Sequence, residues 1–332
     1  MNITKKQSAF LIIAGIILPL LCLTHLFSGQ ISIESQDFFD ALFNYNDKSM
    51  SQKIVRELRI PRMVMALIAG AGLSLSGLLM QTLFNNPLAG PFVLGINSGA
   101  SLFVAFSIMT GIPLLNSGLG IIPSALIGAF VFGIIILFFS AFVRSHISLL
   151  LVGLMLGSFT SAIVFIIQSA SSSEELKSFT MWAMGSLQKT ELSQLPIICL
   201  LFVTGVIGSM LLIKPLNTLV IGEDEAKLLG INHKTVRLLI ISITALLTGL
   251  ITALCGPIAF VGLAIPNLVR IVIKTQNHFT LILASILTGG AFILVCDILI
   301  QLLESSIHIP INALTSLVGA PFVVLIVLKR LA

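Results

Sequence analysis

Few side chains in this sequence could do chemistry. Asp297 is the one carboxylate set inside a long apolar run, where an ionised group costs several kcal/mol unless it pairs or works. It could cap or pair locally near the end of its helix, or take part in moving a solute. No series of Asp, Glu or His along the apolar runs makes a proton relay. Cys22, Cys199, Cys255 and Cys296 stand singly, without metal-ligand spacing, and read as small buried hydrophobes, so no metal site is expected. The sequence has no G-x-x-x-x-G-K-[ST] phosphate loop, no H-E-x-x-H zinc pair and no G-x-S-x-G nucleophile turn. No catalytic residue and no cofactor bound by this chain follow. If ATP and Mg power its work, another chain must hold them.

What the sequence does offer is broken backbone. Gln81 to Ala100 reads QTLFNNPLAGPFVLGINSGA, and a second interruption runs from Cys255-Gly256-Pro257-Ile258 to Ile265-Pro266-Asn267. At membrane depth such backbone is tolerated only where it is buried in protein or lines a water-filled cavity. Paired interruptions in two halves of a chain point to a solute pathway; tight loops between helices are the plainer alternative.

The elements that must position these residues follow from composition. Of the 332 residues, 57% are hydrophobic and 9% charged, where soluble domains carry roughly a quarter charged, so the solvent of this fold is lipid. Apolar runs predict helices near 8–28, 62–84, 92–110, 119–142, 147–168, 193–213, 235–254, 256–274, 280–303 and 313–331. That is an all-α integral membrane protein with both termini on one side. The first run lacks a small-x-small cleavage site and is expected to be a retained helix. With the N-terminus inside, 11 of the 18 basic residues fall inside, and nine acidic residues fall outside against three inside. The net charge of +5 is then a topology signal, and no nucleic acid partner is expected. Residues 29–61 and 169–192 form outer segments able to carry short helices. Residues 215–234 form the main inner segment, where Gly222-Glu223-Asp224-Glu225-Ala226 opens a polar helix. Small residues at Ala66, Gly70 and Ser74, at Gly95 and Gly99, and at Gly153 and Gly157 suit close helix packing first and a dimer interface second.

A set of motifs spans the chain from about residue 55. Leu58-Arg59-Ile60-Pro61-Arg62, Ala69-Gly70-Ala71-Gly72-Leu73, Ser76-Gly77, Gln81, Asn86-Pro87-Leu88-Ala89, Leu94-Gly95 and Ser98-Gly99-Ala100 come first. Then follow Trp182, Gly185-Ser186-Leu187, Leu216-Asn217, Gly222-Glu223 with Ala226, Leu229-Gly230, Gly256 to Leu263 with Pro266 and Arg270, and Gly319-Ala320-Pro321-Phe322. Together they resemble the FecCD-type permeases, ten-helix subunits of importers for siderophores, haem and vitamin B12.

The resemblance implies a type II ABC importer permease, one transmembrane domain over residues 1–332, lying in the bacterial inner or cytoplasmic membrane with cytoplasmic termini. Its partners would be ABC ATPase subunits, a periplasmic or lipid-anchored substrate-binding protein, and a second permease copy in a homodimer, all around a lipid bilayer. Arg59 and Arg62 would receive acidic residues of the binding protein; interfacial snorkelling is their other reading. Asn86, Pro87 and Leu88, with His146 and Ile147 between the fourth and fifth spans, would form the cytoplasmic gate. Gly222, Glu223, Glu225, Ala226 and Gly230 would contact the ATPase.

Three positions depart from the family. Gln301 stands where an arginine contacting the binding protein is usual, four residues after Asp297; Asn267 stands where the family has histidine; and Pro310-Ile311-Asn312 replaces P-x-G. With that arginine missing, docking is expected to lean on Arg59 and Arg62, with Gln301 at the third docking position. An iron-siderophore ranks first as cargo, haem second and cobalamin third, an ordering that rests on the family and not on residues. An ion-coupled secondary carrier is the reading from another class, and a membrane-embedded enzyme would need a catalytic constellation the sequence lacks.

Overall fold

In lipid an apolar run satisfies its own backbone by coiling into a helix, and each of the ten runs does so in a computed structural model. The structure describes residues 4–29, 31, 33–92, 95–110, 120–143, 146–222, 227–304 and 309–331. The long elements are α1 (Lys5–Phe27), α4 (Ile60–Leu83), α5 (Ile96–Met109), α6 (Ile121–Phe142), α7 (His146–Ser169), α9 (Leu195–Leu211), α11 (His233–Cys255), α12 (Val261–Ile273), α13 (His278–Leu303) and α14 (Ile311–Leu331). Seven described helices are long and apolar enough to cross a membrane, and α5, α12 and α14 belong to the shorter apolar class. Segment 29–61 carries α2 (Ser35–Phe43) and α3 (Met50–Ile54), segment 169–192 carries α8 (Ser173–Ala183), and α10 (Ile213–Leu219) leads into the 222–230 stretch.

Local sequence sets several boundaries. Ser172 and Glu175 close a capping box at the start of α8. The Ser172 amide holds the Glu175 carboxyl below its ordinary range, so the cap is intact above the ordinary carboxylate pKa and is lost as pH falls through the depressed one. A π turn over Val55–Arg59 joins α3 to α4. Pro61 explains it: a proline ring crowds the carbonyl four residues earlier, here that of Glu57, and a wider turn relieves the clash.

The central helix is α4, packed against α13, α11, α12 and α9. Its small residues allow backbone-to-backbone approach. A Cβ on Gly70 would lie 2.0 Å from the Gly289 carbonyl oxygen of α13, and one on Gly77 would lie 1.7 Å from the Gly262 oxygen of α12. Gly95 meets Gly153 and Gly157 across α5 and α7. All three small-residue sets therefore serve helix packing within the chain.

Both expected interruptions exist, in corrected form. The first is shorter than the sequence suggests, because α4 keeps its helix through Leu83 and α5 begins at Ile96. The second ends at Phe260. Helix α12 runs straight through Pro266 because side chains take up the carbonyls that a proline leaves short of donors: the Gln81 amide donates to Leu263 O at 3.2 Å and weakly to Gly262 O at 3.5 Å. Gly256 opens this break at φ +74, and a Cβ there would sit 2.3 Å from Trp182 O. The Ser186 amide caps the end of α11 by donating to Cys255 O at 2.8 Å. Asn312 Oδ1 accepts from the Ala259 amide at 3.0 Å, which ties the break to α14.

Candidate functional site

Polar side chains gather at the two ends of the bundle. At the end that carries Arg59, the Asp297 carboxylate is buried, 2% exposed, and pairs across helices. Arg62 holds it with Nε to Oδ2 at 2.8 Å and Nη2 to Oδ1 at 2.9 Å, the fork geometry that suits a carboxylate. His25 Nε2 donates to Oδ2 at 2.6 Å from α1, and Gln301 Nε2 donates to the same oxygen at 3.1 Å. Arg62 Nη1 also lies 3.6 Å from Glu304 Oε2. Asp297 thus pairs with partners on two other helices.

Arg59, only 8% exposed, staples a different part of the chain. Its guanidinium donates to Leu26 O at 2.7 Å and to Ile31 O, so it is fixed to the last turn of α1 and the segment that follows it and does not snorkel. Arg59, Arg62 and Gln301, the three docking candidates, line one cavity of about 340 Å³ together with His25, Gln188 and Glu304. The structure brings the three together and shows Glu304 as a resident acid beside them.

The gate candidates Asn86, Pro87 and Leu88 form a turn after α4. The Asn86 amide donates to Gln81 O at 3.1 Å, and Asn86 Oδ1 accepts from the Leu88 amide at 2.9 Å, an Asx turn. Leu88 is exposed, while Pro87 O accepts from Asn267 Nδ2 at 2.8 Å. His146 opens α7, and its side chain and that of Ile147 lie outside the described residues. Of the ATPase-contact candidates, Glu223, Glu225 and Ala226 lie outside them too. Gly222 and Gly230 border that stretch at φ +151 and +80, values that favour glycine.

A second polar cluster at the Gly230 end is not anticipated by sequence reasoning. Arg270 donates to Gln81 Oε1 at 3.3 Å and to Thr82 Oγ1 at 3.0 Å. His278, fully buried, has Nε2 2.9 Å from Thr82 Oγ1 and Nδ1 2.9 Å from Asn217 Oδ1. With Nδ1–H donating to Asn217, Nε2 is left to accept from the Thr82 hydroxyl. The signal available in the sequence was the presence of Gln81, Thr82, Asn217, Arg270 and His278 at the ends of apolar runs.

Between the ends, α5, α7 and α14 border a groove of about 360 Å³ lined by Phe92, Asn97, Ser98, Ser101, Ser161 and Gln168 among others. Hydroxyl, amide and phenyl groups face it, and no charged side chain contributes.

Apolar helices interrupted twice beside an uncharged groove, with polar clusters locking both ends, define a polytopic membrane transport protein. The comparisons with known proteins make this specific. The model of the FecCD transport family matches residues 16–329. The hemin transport system permease of Yersinia pestis is 32% identical over 319 residues, 95% of each chain. The vitamin B12 import system permease of Vibrio parahaemolyticus is 33% identical over 337 residues, covering 99% of this chain and 96% of that one. A solved ABC transporter assigned to the metal-chelate type, in an inward-facing conformation, superposes with a TM-score of 0.85 at 30% identity, over 97% of this chain and 99% of the other. The chain belongs to the FecCD transport family. It is a multi-pass ABC importer permease.

Proposed function

We propose that this permease carries an iron chelate inward, an iron-siderophore first and haem second, with cobalamin as the alternative cargo. The groove lining supports a wrapped solute over a bare ion, and the order among the wrapped cargoes rests on the family. Serine and threonine hydroxyls, amides and phenyl rings can pass a bulky solute whose metal is already wrapped. A bare ion would want oxygen or sulfur ligands at regular spacing, and among the described residues no three His, Cys, Asp or Glu side chains group that way.

In this reading residues 1–332 act as one domain and the Arg59 end faces outward, as the distribution of basic residues favours. A substrate-binding protein sits there, two ATPases sit at the 222–230 segment, and a second copy of the chain covers the apolar face of α7 that exposes Leu151, Leu154, Phe159 and Phe165. Uptake of radiolabelled iron, offered as siderophore complexes and as haem, is expected to be lost when the gene is deleted under iron starvation. Unchanged iron uptake with lost cobalamin uptake would move the assignment to the alternative cargo. In liposomes, transport is expected to need ATP and the partner ATPase; transport driven by an ion gradient alone would transfer the chain to the secondary carriers.

Docking adds a second expectation. An acidic group arriving at Arg62 must compete with Glu304, which already lies 3.6 Å from it. Glu304→Gln removes that competitor and is expected to tighten binding-protein affinity about two- to fivefold, the scale of one partly exposed charge pair. Charge reversal of Arg59 and Arg62 together is expected to abolish docking. An affinity unchanged by both alterations in a titration at fixed ionic strength would remove this surface from the interface.

A further inference from the structure

Two faces of α2 are apolar, and only one of them is used inside the chain. Phe38 and Ala41 are buried in a small core with Leu26 and Val55. Phe39, Leu42 and Phe43, three and four residues apart and so on one neighbouring face, are exposed, Phe43 at 78%. Asp37 and Asp40 fall on the remaining side of the helix. Three clustered large apolar side chains call for a cover.

The position of α2 identifies that cover. Helix α1 has 23 residues, about 34 Å at 1.5 Å each and close to the ~30 Å of a hydrocarbon core, so its ends mark the two membrane boundaries. Phe27 is its last residue. Ile13, Ile16, Leu20, Leu23 and Phe27 are exposed along one stripe of α1, a face that lipid covers in a spanning helix. The Phe27 ring lies 5.0 Å from that of Phe38, and Phe38 lies 5.7 Å from Phe39. This aromatic line leads from the lipid-facing stripe directly onto the exposed face of α2.

We infer that α2 lies in the membrane boundary at the Arg59 end, with Phe39, Leu42 and Phe43 entered between lipid headgroups and acyl chains and Asp37 turned to water. A helix that rests in the interface has this form, one face apolar and the other polar. Arg59 holds Leu26 O at the end of α1 and Ile31 O on the chain that leads to α2, so the lipid contact also fixes the depth at which the Arg59 cavity sits. This placement needs only a membrane-spanning chain and is independent of its cargo.

The test uses the full permease in lipid nanodiscs, which leave both membrane faces open to solutes. Trp182, the one tryptophan of the sequence, is buried, so the parent gives the baseline emission. Phe43→Trp and, separately, Phe39→Trp are expected to add emission that lipids brominated near the headgroup end of the acyl chain quench about twofold, since an interfacial helix sinks its apolar face roughly 5–10 Å into that boundary. Aqueous iodide should leave this emission nearly unchanged. Asp37→Trp, on the same helix, should show the reverse, quenched by iodide and not by bromolipid. A Tm close to the parent's shows that each variant is folded. Iodide quenching at 39 and 43 equal to that at 37, without bromolipid quenching, would overturn the inference and leave the face to a protein partner. Equal bromolipid quenching at all three positions would overturn it too, because the whole helix would then be submerged with no side in water.

Discussion

Asp297→Ala is expected to destabilise the protein by about 3–5 kcal/mol, the cost of breaking a buried ion pair from one side. The carboxylate is the common partner of Arg62, His25 and Gln301, so its removal leaves the Arg62 guanidinium, 13% exposed, with Glu304 in reach at 3.6 Å. Arg62→Ala should cost nearly as much by the reverse route. Arg62→Met combined with Asp297→Leu should recover most of the loss, because buried pairs are commonly replaced by apolar groups of similar volume at little net cost. Thermal unfolding in detergent checks all three. A single variant with an unshifted Tm, or a double variant no better than the singles, would show that the pair does not hold α4 to α13.

Gly77→Val carries the other large effect. Even the first carbon of a side chain would sit 1.7 Å from the Gly262 oxygen, and the obstacle is backbone, which no rotamer can move. Helices α4 and α12 must separate, and the bonds from Gln81 to α12 separate with them. A loss above about 3 kcal/mol is expected, beyond ordinary overpacking, seen as failed folding or a steep fall in Tm and yield. Gly15→Ala is the control. Nothing lies within 4 Å of its added carbon, and the substitution should be neutral or slightly favourable, by up to about 1 kcal/mol of helix propensity. Equal stability of the two variants would deny the close crossing.

The spans were legible because lipid leaves the backbone no alternative: α6 and α13 begin and end within about two residues of where hydropathy places them. The start of α12 was not, since Gly256-Pro257-Ile258-Ala259-Phe260 is apolar and yet irregular, and only its contacts with Trp182, Ser186 and Asn312 explain why. Pro266 misled in the opposite direction. A proline reads as a break, and the donor that lets the helix continue is Gln81, 181 residues before the Gly262 carbonyl it reaches. The docking candidates Arg59 and Arg62 were visible as a motif, but their internal partners were not, because Leu26 O is backbone and Asp297 is remote in sequence. His25 gave no signal by itself. A lone histidine at the end of an apolar run acquires meaning only when Asp297 stands beside it.

That last pairing has a consequence for biosynthesis. His25 and Asp297 are 272 residues apart, and Arg62 precedes Asp297 by 235. At roughly 5–20 residues per second, ribosomes need about 14–54 s to travel from one partner to the other. For that interval the first spans enter the bilayer with an arginine and a histidine whose shared carboxylate partner has not been made. The insertion machinery or lipid phosphates must shelter them until α13 emerges. A chain cut short before residue 278 lacks Asp297 and leaves Arg62 and His25 without the carboxylate that joins α1, α4 and α13 in the finished fold.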